Sequence, residues 1–296
     1  MITIRMTVTI LAGAASIIGC NPKPTQRALN PITIKTKNAT ARVDYSGLDT
    51  ILKAAVKPDG EILPEKLRDN AKMLEGQLLL MTLAGPKTRA DLFKNEHAKL
   101  NYWYNARAAW SLRLMLTFSK ERLETDKTKI SEDTIWIFND DGTPLETFNN
   151  RSFPIDGRSM TLALLDELLI EQFGFKAAIG APGISPLRAA IPPKSFDAND
   201  SAKLIDERFG RLIDDEKRFV IDTPTRRILV PSILWRFREQ IQTEHREKYG
   251  ALGANLTTAL LPLVKLSPHR RLQDAVGYTC IEAPAEKIPL ITPDKD

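Results

Sequence analysis

Few side chains in this 296-residue chain are able to make or break bonds, and their spacing matters more than their number. There are two cysteines, Cys20 and Cys280, and three histidines, His97, His245 and His269. Covalent catalysis by a thiol needs a base within about 3 Å and a third group to orient that base. Cys280 with His269 or His245 is the best such pairing, and it lies in a weakly patterned tail, so a buried or incidental thiol is the better reading. Ser185 is the nucleophilic side chain of the irregular stretch 174–188. Pro186 follows it and removes one backbone N–H that an oxyanion would use. Lys176 serves as a base only where burial depresses its pKa by several units. Asp166 and Glu167 are neighbours on a helical stretch, so their carboxylates point about 100° apart and do not converge on one substrate. The acidic turn Asn139-Asp140-Asp141-Gly142 lacks the further carboxylates that calcium needs. The histidines have no metal-ligand spacing and there is no glycine-rich phosphate loop, so neither a metal nor a nucleotide cofactor is expected.

Cys20 points to a different chemistry. Arg5 supplies a thin positive start and Met6 to Ile18 a short apolar run, too short for a comfortable membrane span. The run ends in Ser16-Ile17-Ile18-Gly19-Cys20, which resembles a bacterial lipoprotein lipobox. In that class the cysteine thioether takes a diacylglycerol, the chain is cut just before it and the new amine is acylated. Two or three acyl chains, at roughly 0.8 kcal/mol per buried methylene, make a stable anchor. The expectation is therefore a signal peptide at 1–19, lipid on Cys20 and a membrane partner. An ordinary cleaved secretory signal is the alternative. Asn21, where a retained protein would carry Asp, points to the outer membrane with the domain facing the periplasm. Lipidation of Cys20 leaves Cys280 without an intramolecular disulfide partner. Residues 20–40, rich in Pro, Thr, Asn and Lys, read as a flexible tether.

Any site must be held by the folded remainder of a chain that, at 43% hydrophobic and 27% charged residues overall, is ordinary globular material. The 42 basic and 37 acidic residues of the whole chain are interspersed without the dense Lys/Arg clustering that phosphate backbones need, so no nucleic-acid partner is expected. Leu100 to Phe118 organises the rest. Tyr102, Asn105, Ala109, Leu112 and Leu116 share a helical stripe, and Trp103, Trp110, Leu114 and Phe118 widen it. The pattern predicts a helix over 96–118 buried against most of the fold, with Asn105 and Arg107 inside it in need of partners. Around it the sequence predicts one helix over 64–84 stopped by Gly85-Pro86, and a strand at 134–138 pairing with 144–148. A hairpin turns on Asp156-Gly157, a helix over 162–173 is capped by Thr161, and another runs over 199–209. A hairpin at 218–222 and 227–230, a helix over 232–246 and an apolar segment at 256–266 follow. The expected class is α+β: a mainly helical single domain with short β-hairpins around a buried central helix. Residues 41–245 form the globular domain and 246–296 a C-terminal extension.

The order of these segments resembles domain of unknown function family 547, a bacterial and plant domain often found on secreted proteins and lipoproteins. The family opens on a Val-Asp-Tyr pattern, as at Val43-Asp44-Tyr45. Its Phe-Trp-x-Asn-Ala-Tyr-Asn-Ala helix is similar to Tyr102-Trp103-Tyr104-Asn105-Ala106-Arg107-Ala108-Ala109. A Leu-Ser-Leu-Asp-Asp-Ile-Glu-His helix start resembles Met160 to Glu167, and Ser-Cys-Pro-Pro-Leu-Arg resembles Gly183-Ile184-Ser185-Pro186-Leu187-Arg188. The closing Ser-Lys-Ile-Phe-x-Trp-Tyr helix is similar to the stretch from Pro231 to Ile241. Five motifs in the same order span roughly Ala41 to His245. Family members usually carry a His before the irregular segment and one or two Cys within it, and this chain has neither. The resemblance therefore implies that thiol–imidazole chemistry, if the family uses it, is lost here. It also implies a surviving polar cluster of Asn105, Arg188 and Arg238, suited to hydrogen bonding a carboxylate or a backbone. The favoured reading is a non-catalytic envelope lipoprotein whose domain binds a small-molecule ligand or an envelope protein. The alternatives are a hydrolase or transferase working through a diverged site, and a structural spacer.

Overall fold

The computed structural model describes residues 43–125, 135–136, 146–184, 188–250, 253–284 and 289–290, which belong to one compact unit, residues 34–296. Cys20, the expected signal and tether, the turn at 139–142 and Ser185 lie outside the described residues.

Helix α1 (Ser46–Ala55) buries Leu48, Ile51, Leu52 and Ala55, the spacing of one helical face. Helix α2 (Pro64–Asp69) begins on a first-turn proline and is followed by α3 (Ala71–Leu83). The single helix expected over 64–84 is thus two. Asn70 leaves helical geometry (φ −99°, ψ 7°) and its side-chain amide donates to the Lys66 carbonyl at 2.7 Å, competing with the backbone ladder. Gly85 ends this region because a Cβ there would lie 2.5 Å from the Tyr102 hydroxyl and 2.6 Å from the Asp156 carboxylate.

Helix α4 (Glu96–Thr125) is the axis of the fold, 30 residues and about 45 Å long. It is buried on every side from Tyr102 to Ala109, and it packs on α3 and on later elements named below. It runs past the expected end at 118, because the charged residues beyond Ser119 are good helix formers.

Strand β1 (Ile135–Trp136) does not pair with 144–148. Residues Glu146–Asn150 form a short helix, α5, whose Phe148 packs on Phe118 with ring centroids 5.6 Å apart. The partner of β1 is β9 (Pro289–Leu290), antiparallel and far away in sequence. Strands β2 (Phe153–Ile155) and β3 (Arg158–Met160) form the expected hairpin, with Asp156 and Gly157 at φ of 50° and 66° as a primed two-residue turn requires. Thr161 caps α6 (Leu162–Phe173), its Oγ1 accepting the Leu164 N–H at 3.1 Å. A short helix α7 (Phe175–Ile179) and a two-residue parallel pair, β4 (Pro182–Gly183) and β5 (Ala189–Ala190), fill the irregular stretch.

Helix α8 (Ser201–Asp214) is capped by Asp200, which accepts the Lys203 N–H at 3.1 Å. Strands β6 (Val220–Asp222) and β7 (Arg227–Val230) form the second expected hairpin. The helix expected over 232–246 breaks at Phe237 into α9 (Ser232–Arg236) and α10 (Arg238–Tyr249). Helices α11 (Leu256–Leu260) and α12 (Leu266–Asp274) follow, and β8 (Thr279–Glu282) adds to β7 in parallel. The C-terminal extension is therefore built into the sheet and into an apolar cluster that joins Phe209, Phe219 and Ile228 to Leu260 and Leu272. A larger cluster surrounds α4. The class is α+β, mainly helical, with small sheets. Among the described residues no helix is long and apolar enough to cross a membrane.

Candidate functional site

The polar residues inside α4 lead to two groups of side chains. The first is ionic. Arg107, on the apolar helix, donates from Nε to Asp166 Oδ1 at 2.8 Å and from Nη2 to Oδ2 at 3.3 Å, and Nη1 reaches the Pro182 carbonyl. Arg188 Nη2 donates to the same Asp166 carboxylate from the other side. The Arg107 and Asp166 side chains are only 2% and 3% exposed, and Arg188 is 15% exposed. Two guanidiniums against one carboxylate leave a net positive charge in the interior, and Arg188 Nη1 is buried with no partner. Gly183 makes room for the pair: a Cβ there would sit 3.1 Å from Arg188 Cβ and 3.2 Å from Arg107 Nη1.

The electrostatics follow from burial and proximity. Burial drives the Asp166 carboxyl upward, but the two guanidiniums outweigh it and hold the group below the usual carboxylate range. Burial, helped by the repulsion of Arg107, pushes Arg188 down to about 10, which leaves it cationic at neutral pH.

The second group pins a segment of chain. Asn105 Nδ2 donates to the Phe196 carbonyl at 2.9 Å, and its Oδ1 accepts the Phe196 N–H at 2.7 Å. This two-point clamp imitates one rung of a β-ladder. One turn earlier, Asn101 Nδ2 donates to the Ala198 carbonyl at 2.7 Å. On the other side Asp49, from α1, accepts the Ser195 N–H at 2.6 Å. The segment 195–198 is thereby fixed as a septum that contributes to the walls of two cavities.

The first cavity, about 350 Å³, is walled by Tyr45, Leu92, Phe93, His97, Asn101 and Phe196. Asp91 and Lys94 stand at its exposed rim. One of its wall residues holds unused polar capacity: Asn101 Oδ1 is shut off from solvent without a partner, whereas the Tyr45 hydroxyl, equally buried, interacts with the Asn105 amide. The bond from Nδ2 to a carbonyl fixes the amide orientation, so the orphan atom of Asn101 is the acceptor. Burial raises the Tyr45 phenol well above its ordinary value, which keeps it a neutral O–H.

The three residues expected to form one polar cluster occupy three environments. Asn105 serves the septum and Arg188 the ion cluster. Arg238 stands apart and half-exposed, stacked over Trp235 at 4.7 Å and paired with Glu239 at 3.1 Å. The principal partner that sequence reasoning missed is Asp166. The signal that was present is Arg107, a charge in a fully apolar helix, which demanded a buried carboxylate without saying which one.

The nucleophile candidates are also placed. Cys280 Sγ lies 3.3 Å from Thr257 Oγ1, and burial pushes the thiol up, away from thiolate. His245 stacks near Tyr249, with ring centroids 4.9 Å apart, and its contacts are not with Cys280. Lys176 pairs with Asp206 and lies over the Phe209 ring at 5.3 Å. Among the described residues no group of three His, Cys, Asp or Glu side chains is placed to hold a metal ion. No family model matches the chain, and no curated protein or solved structure matches it.

Proposed function

We propose that the chain is a lipid-anchored envelope protein whose domain binds a small ligand with both apolar and polar parts in the cavity beside Tyr45, Phe93 and Phe196. The lipobox-like run ending at Cys20 supports the anchor, and the resemblance to domain of unknown function family 547 agrees with a secreted domain. The observation that carries binding is the cavity itself. Its volume of about 350 Å³ falls in the range of small-molecule pockets, and its walls set Leu92, Phe93 and Phe196 beside polar side chains such as Asn95, His97, Asn101 and Asp197. Buried polar atoms are ordinarily satisfied. Asn101 therefore supplies a carbonyl acceptor that a ligand with a hydroxyl or amide group would complete once it displaces the wall that covers it. Asp91 and Lys94 at the rim set the entrance rather than the affinity, because exposed charges contribute little.

The test is to purify the protein from its own envelope, unfold it and identify small molecules released, by mass spectrometry. Ala98 lines the same cavity from α4, and Ala98→Trp fills it. The expected result is a compound released stoichiometrically from the wild type and absent from a folded Ala98→Trp variant. Release of nothing from the wild type, or of the same compound from both, overturns the proposal.

A further inference from the structure

The septum also walls a second cavity, about 410 Å³, in which cations outnumber acids. Its walls carry four cations, Lys194, Lys203, Arg208 and Arg211. Arg208 is the unusual one. It is only 5% exposed, yet its hydrogen bonds go to two neutral acceptors: Nε to the Gly180 carbonyl at 3.0 Å and Nη2 to the Ala190 carbonyl at 2.6 Å. Its ring contact is Phe196 on the septum, 5.4 Å away. Nη1 is engaged by none of the described residues. A buried cation is normally matched by an anion, and this one has carbonyl dipoles and a ring instead. Burial brings its pKa down to about 10; the Tyr104 phenol acts against that shift, and the repulsion of Arg211 and Arg218 adds to it.

The acids on the same wall are largely committed. Asp200 caps α8, and Glu207 faces Lys203 at 4.0 Å. Arg211 lies one turn beyond Arg208 on α8, and like Lys194 it makes no side-chain ion pair among the described residues. Asp197, exposed on the septum, is the remaining negative group.

We infer that this second cavity is an anion site, in which the Arg208 and Arg211 guanidiniums, with Lys194, bind the oxyanion of a small molecule, a phosphate or a carboxylate. Guanidiniums present paired N–H donors that match such oxyanions, and a partly enclosed site shields the contact from salt. The two cavities share Phe196 to Asn199 as a wall, and the two proposals rest on different side chains, Asn101 in the first and Arg208, Arg211 and Lys194 in the second.

Calorimetric titration of the full-length lipidated protein in neutral detergent, at fixed ionic strength, tests it with inorganic phosphate and with acetate. Saturable binding with a Kd of about 1 mM or tighter is expected for one of the two anions, which identifies the group read. Arg211→Gln and Lys194→Gln change exposed side chains and leave the fold intact; each weakens binding about fivefold or more, worth roughly one kcal/mol by RT ln 5. Asp197→Asn strengthens it, because it removes the one uncommitted acid. Ala98→Trp, which fills the other cavity, leaves anion affinity unchanged. The absence of saturable binding by either anion, or equal affinity in wild type, Arg211→Gln and Asp197→Asn, overturns the inference. Arg208→Met is read only if its circular dichroism matches the wild type, and the surface variants decide the question without it.

Discussion

Replacing Asp166 with Asn should be among the most damaging single changes in this domain, and replacing Arg188 with Met among the mildest in its core. The asymmetry comes from counting charges. Arg107 and Arg188 converge on one carboxylate that is 3% exposed, so the cluster carries two positive charges and one negative. At an effective dielectric of 20, two unit charges 4 Å apart interact by about 4 kcal/mol, against a desolvation cost of several kcal/mol for each ion. Removing Asp166 deletes both attractions and leaves two buried cations facing each other. A loss of about 3–5 kcal/mol is expected, a large share of a total stability of about 5–15 kcal/mol. Removing Arg188 leaves the neutral Arg107–Asp166 pair and also eliminates the unpartnered Nη1, so the cost should stay below about 1 kcal/mol. Arg107→Met falls between, since the Pro182 carbonyl also loses its donor. The combined Arg107→Met and Asp166→Leu variant should be more stable than Asp166→Leu alone, because only Arg188, and no longer both cations, is then left without its carboxylate. Urea unfolding of the purified variants, with midpoints compared at a constant slope, gives these differences directly. Equal losses for Asp166→Asn and Arg188→Met, or an Asp166→Asn variant within about 0.5 kcal/mol of the wild type, would refute the reasoning.

The same carboxylate sets a pH dependence. Its folded pKa lies below its unfolded value, so its contribution is full above about pH 4 and is lost as pH falls through the folded value; the acid-side slope of stability against pH should be shallower in Asp166→Asn. Trp103 is 1% exposed against Tyr102 and under Arg158, and Trp103→Ala should cost on the order of 3–5 kcal/mol by thermal or chemical unfolding, whereas half-buried Trp110 should cost less. Metabolic labelling with a fatty acid should mark the wild-type chain and leave Cys20→Ser unlabelled; label on the Ser variant would remove the anchor.

What the sequence disclosed and what it hid divide along local and distant interactions. Helix α4, the two hairpins and the Thr161 cap are written in stretches of a few residues: an apolar run, a turn with Asp-Gly, a hydroxyl before a helix. Asn70 and Phe237 escaped because a helix break by one residue changes the apolar pattern very little, and only the side-chain bond of Asn70 to Lys66 marks the first. The pairing of β1 with β9 spans more than half the chain, and a two-residue strand carries no register of its own. The site was half legible. Asn105 and Arg107 stood out as polar residues in an apolar helix, but their partners lie 91 and 59 residues away, beyond any periodicity. Arg208 was invisible for a further reason: on α8 it reads as one more exposed charge, and only the fold turns it inward.

Arg107 and Asp166 lie 59 residues apart along the chain and touch at 2.8 Å in space, with Arg188 on the same carboxylate. Arg107 places two hydrogen bonds on Asp166 and a third on Pro182. Such a buried network is worth more than its separate bonds, because each member satisfies another in a low dielectric. The cluster ties α4 and α6 to Pro182 and Arg188 and leaves Arg188 Nη1 buried without a partner. Its other donors and acceptors are taken up by one another, which favours the two cavities beside the septum as places for a ligand.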